Sequence, residues 1–345
     1  MKQSNFTNDG HNYSLDYMRI FAMLTVVAIH VPIYIDLPNF IEAVFGRGRG
    51  VYIFFSLSGY LACCSYMKVT SVLSYYKNRV FRILPSYYMG IVLAFICNGI
   101  INGDGVKDIF HLGWIRYFLA LNTVLPSNSY NDWNNIYGYW TMSCFIWFYI
   151  MLPFILKIVK CFKHACMFWV GSFFILALWK QLIYFVFSGV PNIENLSDIA
   201  GISPFGALRF FSVGIVAYYA IHDNKLWNGI IISTIMAIMG MFIDRSSLVW
   251  ACLAGILIIA FYNNGNIFNI NIKVNNVIRW FSKKSFYVYL THLIAFDIAW
   301  YLIGKENLNL GIKSFIWFLI AMFFTIIFSF ILNFTDNIVQ KIFKN

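Results

Sequence analysis

The chain has 345 residues, 60% of them apolar, 20% aromatic and 11% charged, with a formal net charge of +11. A mean hydropathy of +0.69 with so few charges excludes a soluble domain of this length. The basic balance does not point to nucleic acid, because no loop is long enough to form a nucleic-acid-binding module. Lys and Arg gathered in cytoplasmic loops of a membrane protein account for the sign.

The first fourteen residues are polar and read as a cytoplasmic tail. No small-residue cleavage site follows the first apolar run, so 15–34 reads as an uncleaved first span. This span holds Arg19 and His30. Ionisable groups inside a membrane helix are costly, about 2.5–3.5 kcal/mol for a central Arg, and suggest function. Their eleven-residue spacing is three turns plus about 20°, which puts both on one helix face, ~16 Å apart along the axis. The plainer reading has Arg19 snorkelling or paired with Asp16, and His30 hydrogen-bonded in a helix contact.

The second span, 50–66, carries Phe54-Phe55-Ser56-Leu57-Ser58-Gly59, whose small residues permit close helix approach. A basic cluster, Lys77-Asn78-Arg79-Val80-Phe81-Arg82, leads through Pro85 into the third span, 84–101. Stretch 112–125 is apolar but short and contains Arg116, so it reads as an interfacial or re-entrant piece. The fourth span, 138–156, contains Trp140-Thr141-Met142-Ser143 and Tyr149 through Pro153. Spans at 166–187, 204–221, 226–243 and 247–262 follow, with Lys180 in the fifth and Arg209 in the sixth. The ninth, 285–303, reads Ser285-Phe286-Tyr287-Val288-Tyr289-Leu290-Thr291-His292, and the tenth is 313–333. The expected fold class is all-α, a polytopic membrane protein of about ten transmembrane helices. It forms one membrane-embedded domain over 1–345, with cytoplasmic tails at 1–14 and 334–345.

Alternating loops place fifteen cations on the side of the termini and seven on the other, with Arg19, Lys180 and Arg209 inside spans. The positive-inside rule then predicts a multi-pass protein of the inner or plasma membrane with both termini in the cytoplasm. The seven cysteines form neither a metal spacing nor a disulfide framework, and no metal is expected.

The Arg-x10-His of the first span, the FFxLSG-like second span, the RxxRxxP-like third and the YxxH-like ninth occur in a particular order. Together they resemble the integral-membrane acyltransferase family 3, which includes O-antigen and exopolysaccharide O-acetyltransferases. The resemblance implies transfer of an acyl group, usually acetyl, from cytoplasmic acyl-CoA to a hydroxyl of an envelope glycan or its lipid-linked precursor. It carries over Arg19 and His30 as the essential pair and Arg79 with Arg82 as the basic motif. Many members place a Glu in the fourth span, whereas this chain has Met142-Ser143-Cys144-Phe145. A second subgroup has a Trp–Tyr–Pro pattern that Trp140, Tyr149 and Pro153 fit.

Residue chemistry supplies roles. A sugar hydroxyl needs a base as it attacks a thioester, and histidine suits that task near neutral pH. His30 is the first candidate, in the outer half of its span. His292 is the second, ~10 Å into the ninth span if that helix starts near Ser285, with Tyr289 on its face to orient it. Arg19 would position the donor. Arg79, Arg82 and Lys77 would hold the phosphates of acetyl-CoA, unless they only set topology or bind anionic lipid. Arg209, Tyr149, Trp140 and Tyr289 would meet the acceptor, Lys180 would line a polar cavity with Arg209, and Asp297 would pair with a cation elsewhere. The polar, aromatic stretch 126–135 suits sugar contact. Expected partners are membrane lipid and an envelope glycan, with no nucleic acid; the sequence leaves room for a homo-oligomer without specifying one. The competing reading is a glycan or small-acid transporter or flippase.

Overall fold

The computed structural model describes residues 11–36, 49–102, 113–124, 138–186, 200–243, 246–264, 272–304, 308–309 and 311–344. Among these, helices α1 Tyr13–His30, α2 Arg49–Tyr66, α3 Val72–Asn102 and the short α4 Gly113–Phe118 come first. Helices α5 Trp140–Ile158, α6 Phe162–Val186, α7 Pro204–His222 and α8 Leu226–Ile243 follow. Helices α9 Ser247–Asn264, α10 Ile272–Ile303 and α11 Ile312–Lys344 complete the bundle. Eight are long and apolar enough to cross a membrane, and α2 and α9 contribute shorter apolar stretches, Gly50–Tyr66 and Ser247–Tyr262. The chain is an all-α polytopic membrane protein. Its apolar surface suits no other solvent: Phe185 on α6 and Phe242 on α8 are 82% and 86% exposed.

Helix α7 is the centre. In its most apolar stretch 83% of residues are buried, against 17% in α6 and 28% in α8 and α11. Ser203 caps its start by accepting from the Gly206 N–H at 3.2 Å, with Pro204 at the first helical position. The small residues of α2 let the two backbones touch. A Cβ on Gly214 would lie 1.9 Å from the Ser56 carbonyl, and one on Gly59 would lie 2.1 Å from that of Phe211. Aromatic rings fill the rest, with Phe148 stacked on Phe211 at 4.0 Å between centroids and Phe55 tilted against Phe211 at 4.7 Å.

On one flank α1 and α10 run parallel at nearly constant register. Tyr13 bonds Asn276, Tyr17 bonds Asn275, Ser282 bonds Asp16, His292 meets His30 and Tyr34 bonds Asp297. Helix α11 returns antiparallel to α10, with Tyr287 bonded to Asp336 at 2.8 Å and Thr291, further along α10, meeting the earlier Ser329 at 3.4 Å. At one end of the bundle, here the terminal end, Tyr13 lies beside α10's first turns, and Phe343 stacks on Phe81 at 4.9 Å. His30 and the first residues of α5 and α7 face the opposite, distal end.

Three boundaries differ from the sequence reading. The third helix begins at Val72, twelve residues before 84, so the basic cluster is helical and Pro85 sits inside it. The ninth span's helix begins at Ile272 rather than near Ser285, leaving twenty residues, about 30 Å, ahead of His292. The last helix runs on to Lys344 through the stretch assigned as a tail. Apolar content marks where a helix meets lipid, whereas polar turns extend it beyond. The piece at 113–124 does not span: α4 has six residues, and Ala120 takes a positive φ of 52°. Its carbonyls are satisfied from neighbours, Phe118 by the Tyr88 hydroxyl at 3.1 Å and Ala120 by Ser143 at 2.6 Å and Trp147 at 2.9 Å. Irregular backbone within a membrane fold requires such partners. The stretch 126–135 lies outside the described residues.

Candidate active site

His30 closes α1 and is half-buried, while His292, mid-way along α10, is 2% exposed. The parallel packing of the two helices brings His292 Nε2 within 3.2 Å of His30 Nδ1. Carbonyl neighbours assign the protons. His292 Nδ1 lies 2.8 Å from the Tyr289 carbonyl and 3.3 Å from that of Val288, and a carbonyl only accepts, so Nδ1 is the donor. A neutral ring then keeps its lone pair on Nε2. His30 Nδ1 lies 2.8 Å from the Val26 carbonyl and is likewise a donor, shared between Val26 and His292 Nε2. The remaining nitrogen, His30 Nε2, carries a lone pair that no described residue engages. The arrangement gives His30 Nε2 the lone pair that proton abstraction requires, and it sets His292 Nε2 to accept from His30 Nδ1.

Tyr289 acts on His292 through its carbonyl rather than its ring. Its hydroxyl bonds Thr141 on α5 and the Gly138 carbonyl at 3.1 Å. Tyr139 reinforces that junction with a 2.9 Å bond to the Leu290 carbonyl. Asp297, expected to seek a cation, instead accepts from the Tyr34 hydroxyl at 2.5 Å, on the distal side of the histidines. No spacing in the sequence could have joined residues this far apart.

Arg19 lies toward the terminal end. Its Nη1 donates to Asp16 Oδ1 at 3.2 Å, the i,i+3 pairing weighed in the sequence. Asp16 is buried and also accepts from Ser282 at 2.6 Å and engages His11 Nε2 at 2.6 Å, so the carboxylate holds the guanidinium in place. Arg19 is within electrostatic reach of Arg82 and Tyr149, which puts α1, α3 and α5 around one cationic region. Arg82 is exposed and lies near Tyr287 and Asp336. Arg79 is held more firmly: its guanidinium lies 4.6 Å over the Tyr149 ring and 5.4 Å over Tyr75, with Nη2 reaching the Leu61 carbonyl at 3.5 Å. Lys77 points elsewhere along α3, 6.0 Å over Phe81.

Tyr149 therefore stands with the arginines. Trp140 and Arg209, assigned with it to the acceptor, lie at the distal end, where with Lys180 they line a cavity of about 250 Å³. Cys144 is fully buried and donates to the Ile202 carbonyl at 3.1 Å.

The family described as Acyltransferase domain matches residues 12–334, nearly the whole chain. The chain belongs to this acyltransferase family. Two curated relatives align more weakly. Nodulation protein 10 of Rhizobium leguminosarum bv. viciae is 26% identical over 182 residues, 48% of this chain and 50% of that protein. A protein named "Putative acetyltransferase ORF330", from Acidianus two-tailed virus, is 26% identical over 216 residues, 61% of this chain and 59% of its own length. The chain thus spans only about half to three-fifths of these relatives. No solved structure matches. This member of the family carries its half-buried histidine and its cationic region toward opposite ends of α1, and the shared helix fixes their separation.

Proposed function

We propose that this membrane acyltransferase moves an acyl group, acetyl by preference, from acyl-CoA at the terminal end to a hydroxyl of an envelope glycan or its lipid-linked precursor at the distal end. The observation that carries the proposal is the histidine pair, because its carbonyl partners leave His30 Nε2 as a base. His30 Nε2 takes the hydroxyl proton as the acceptor oxygen attacks the thioester carbon. The C–O bond forms, the C–S bond breaks, and the proton passes from His30 to the departing thiolate. During that step His292 Nε2 accepts from the imidazolium.

Arg82 and Arg19 supply cations for the donor's phosphates, and the guanidinium fork suits phosphate oxygens. Arg79, set on two tyrosine rings, keeps that region in shape. The positive-inside count supports placing the terminal end in the cytoplasm, where acyl-CoA is made. Membership of an acyltransferase family removes the ground for the transporter alternative. Incubating purified protein with labelled acetyl-CoA and envelope glycan tests the proposal. Label should enter the glycan, and CoA should raise the melting temperature. Absence of both contradicts the reading.

A further inference from the structure

Two acids lie buried at the terminal end, each close to an arginine assigned to the donor. Asp16 on α1 is 2% exposed and accepts from Arg19 at 3.2 Å. Asp336 on α11 is 3% exposed and falls in the stretch read from the sequence as a tail. A carboxylate taken out of water is costly unless donors and a cation compensate it. Its Oδ2 accepts from the Tyr287 hydroxyl of α10 at 2.8 Å. Ser86 of α3 adjoins the carboxylate, although Oδ1 takes no hydrogen bond of ordinary geometry from a described residue.

Among the described residues, the cations within electrostatic reach of Asp336 are Arg82 and Lys284. Lys284 is engaged on α11 itself: its Nζ donates to Asn333 Oδ1 at 2.5 Å and lies 5.5 Å over the Tyr287 ring. Arg82 precedes Ser86 by four residues, so the two share one face of α3, and Ser86 sets that face against Asp336. Tyr287, bonded to the carboxylate, is likewise within reach of Arg82. Arg82 also feels Arg19. The exposed guanidinium therefore stands in the field of a buried carboxylate that attracts it and a second guanidinium that repels it. A long, exposed side chain loses rotamer freedom when it grips a ligand, and narrowing its positions beforehand lowers that cost. The attraction acts across space rather than through an ion-pair contact, which leaves the N–H fork to meet phosphate oxygens.

We infer that Asp336 positions Arg82 for the phosphates of the donor. This rests on the acyltransferase reading and adds a residue to its donor site; Asp336 touches no ligand and acts through the arginine. Equilibrium binding of CoA to protein in nanodiscs, with acetyl-CoA kinetics on the same samples, tests it. Asp336→Asn removes the charge at nearly constant shape. It should weaken CoA binding about tenfold and raise the KM for acetyl-CoA with kcat little changed. Asp336→Glu, which keeps the charge, should recover part of the loss. In an Arg82→Gln background Asp336→Asn should weaken CoA less than twofold further, because the arginine it acts through is gone. A residue that only braces the helices would cost the same affinity in either background. Tyr287→Phe leaves the carboxylate in place but unfixed. It should weaken CoA about threefold beside Arg82 and not in Arg82→Gln, and this cycle decides the matter if Asp336→Asn does not fold. CoA affinity unchanged or tightened in Asp336→Asn, or an equal loss with and without Arg82, overturns the inference. Where the unsubstituted protein binds CoA, such results count against Asp336 alone. Where it does not, the acyltransferase reading fails and this inference with it.

Discussion

The two imidazoles should respond differently to substitution, because only His30 keeps a lone pair that no described residue engages. His292 contributes an acceptor to the Nδ1 proton of His30, and a hydrogen bond to a charged group is worth about 1.5–3 kcal/mol. His292→Leu should therefore lower kcat about 10- to 150-fold with little change in the KM for acetyl-CoA. His292→Gln, which can present an amide oxygen, should recover part of the loss. A KM effect without a kcat effect would place His292 in donor binding instead. Spacing and cost in a membrane helix single out Arg19 and His30 in the sequence. The direct contact of His292 with His30 was not legible there, since it depends on the register of α1 against α10, and that register is set by polar pairs 258 to 266 residues apart.

Two features decide how the elements hold together. Helices α2 and α7 meet backbone to backbone at Gly214, where a methyl group would sit 1.9 Å from the Ser56 carbonyl and 2.6 Å from the Tyr60 nitrogen. Gly214→Ala should destabilise the fold by about 1–3 kcal/mol, the range for overpacking, whereas Gly171→Ala on α6, with nothing within 4 Å, should be neutral or mildly stabilising. Thermal melting of the two variants compares them directly, and equal melting temperatures would deny the close approach.

At the α5–α6 turn, Tyr219 donates to the Val159 carbonyl at 2.6 Å and Asp223 accepts from the Phe162 N–H at 2.7 Å, capping α6 from a distance. Partial burial pushes the Asp223 pKa up, but its bonds from His222 and the Phe162 N–H outweigh this and hold it below the usual range. The sign follows: a depressed carboxylate stabilises fully above its unfolded pKa of about 4, and the gain is lost as pH falls through the lower folded value. Asp223→Ala should cost about 1 kcal/mol at neutral pH, and Asp223→Asn should narrow the melting gap between neutral and acid solutions. Hydrophobic runs marked the eight helices long and apolar enough to cross a membrane and the two shorter apolar ones, because apolar length is a direct signal. Helix ends at 72, 272 and 344 escaped, since polar turns beyond the lipid carry no such signal.

On the scale of the molecule, the two ends carry different side-chain chemistry. The terminal end gathers Arg19, Arg79 and Arg82 with tyrosines, and the distal end holds the histidine pair and the cavity with Lys180 and Arg209. In sealed proteoliposomes of known orientation, labelled acetyl-CoA should support transfer only when supplied to the terminal end, with label appearing on acceptor presented at the other. Transfer from both sides alike would remove the sidedness. The family was legible from ordered motifs scattered over most of the chain, while the meeting of α1, α5 and α10 needed the fold. The most direct test of the whole is a single-turnover measurement of label transfer by His30→Ala beside the unsubstituted protein, with CoA stabilisation recorded for both. Loss of about 10²–10⁴-fold in rate with CoA stabilisation retained is the outcome expected of a general base. Equal rates in the two proteins would contradict it.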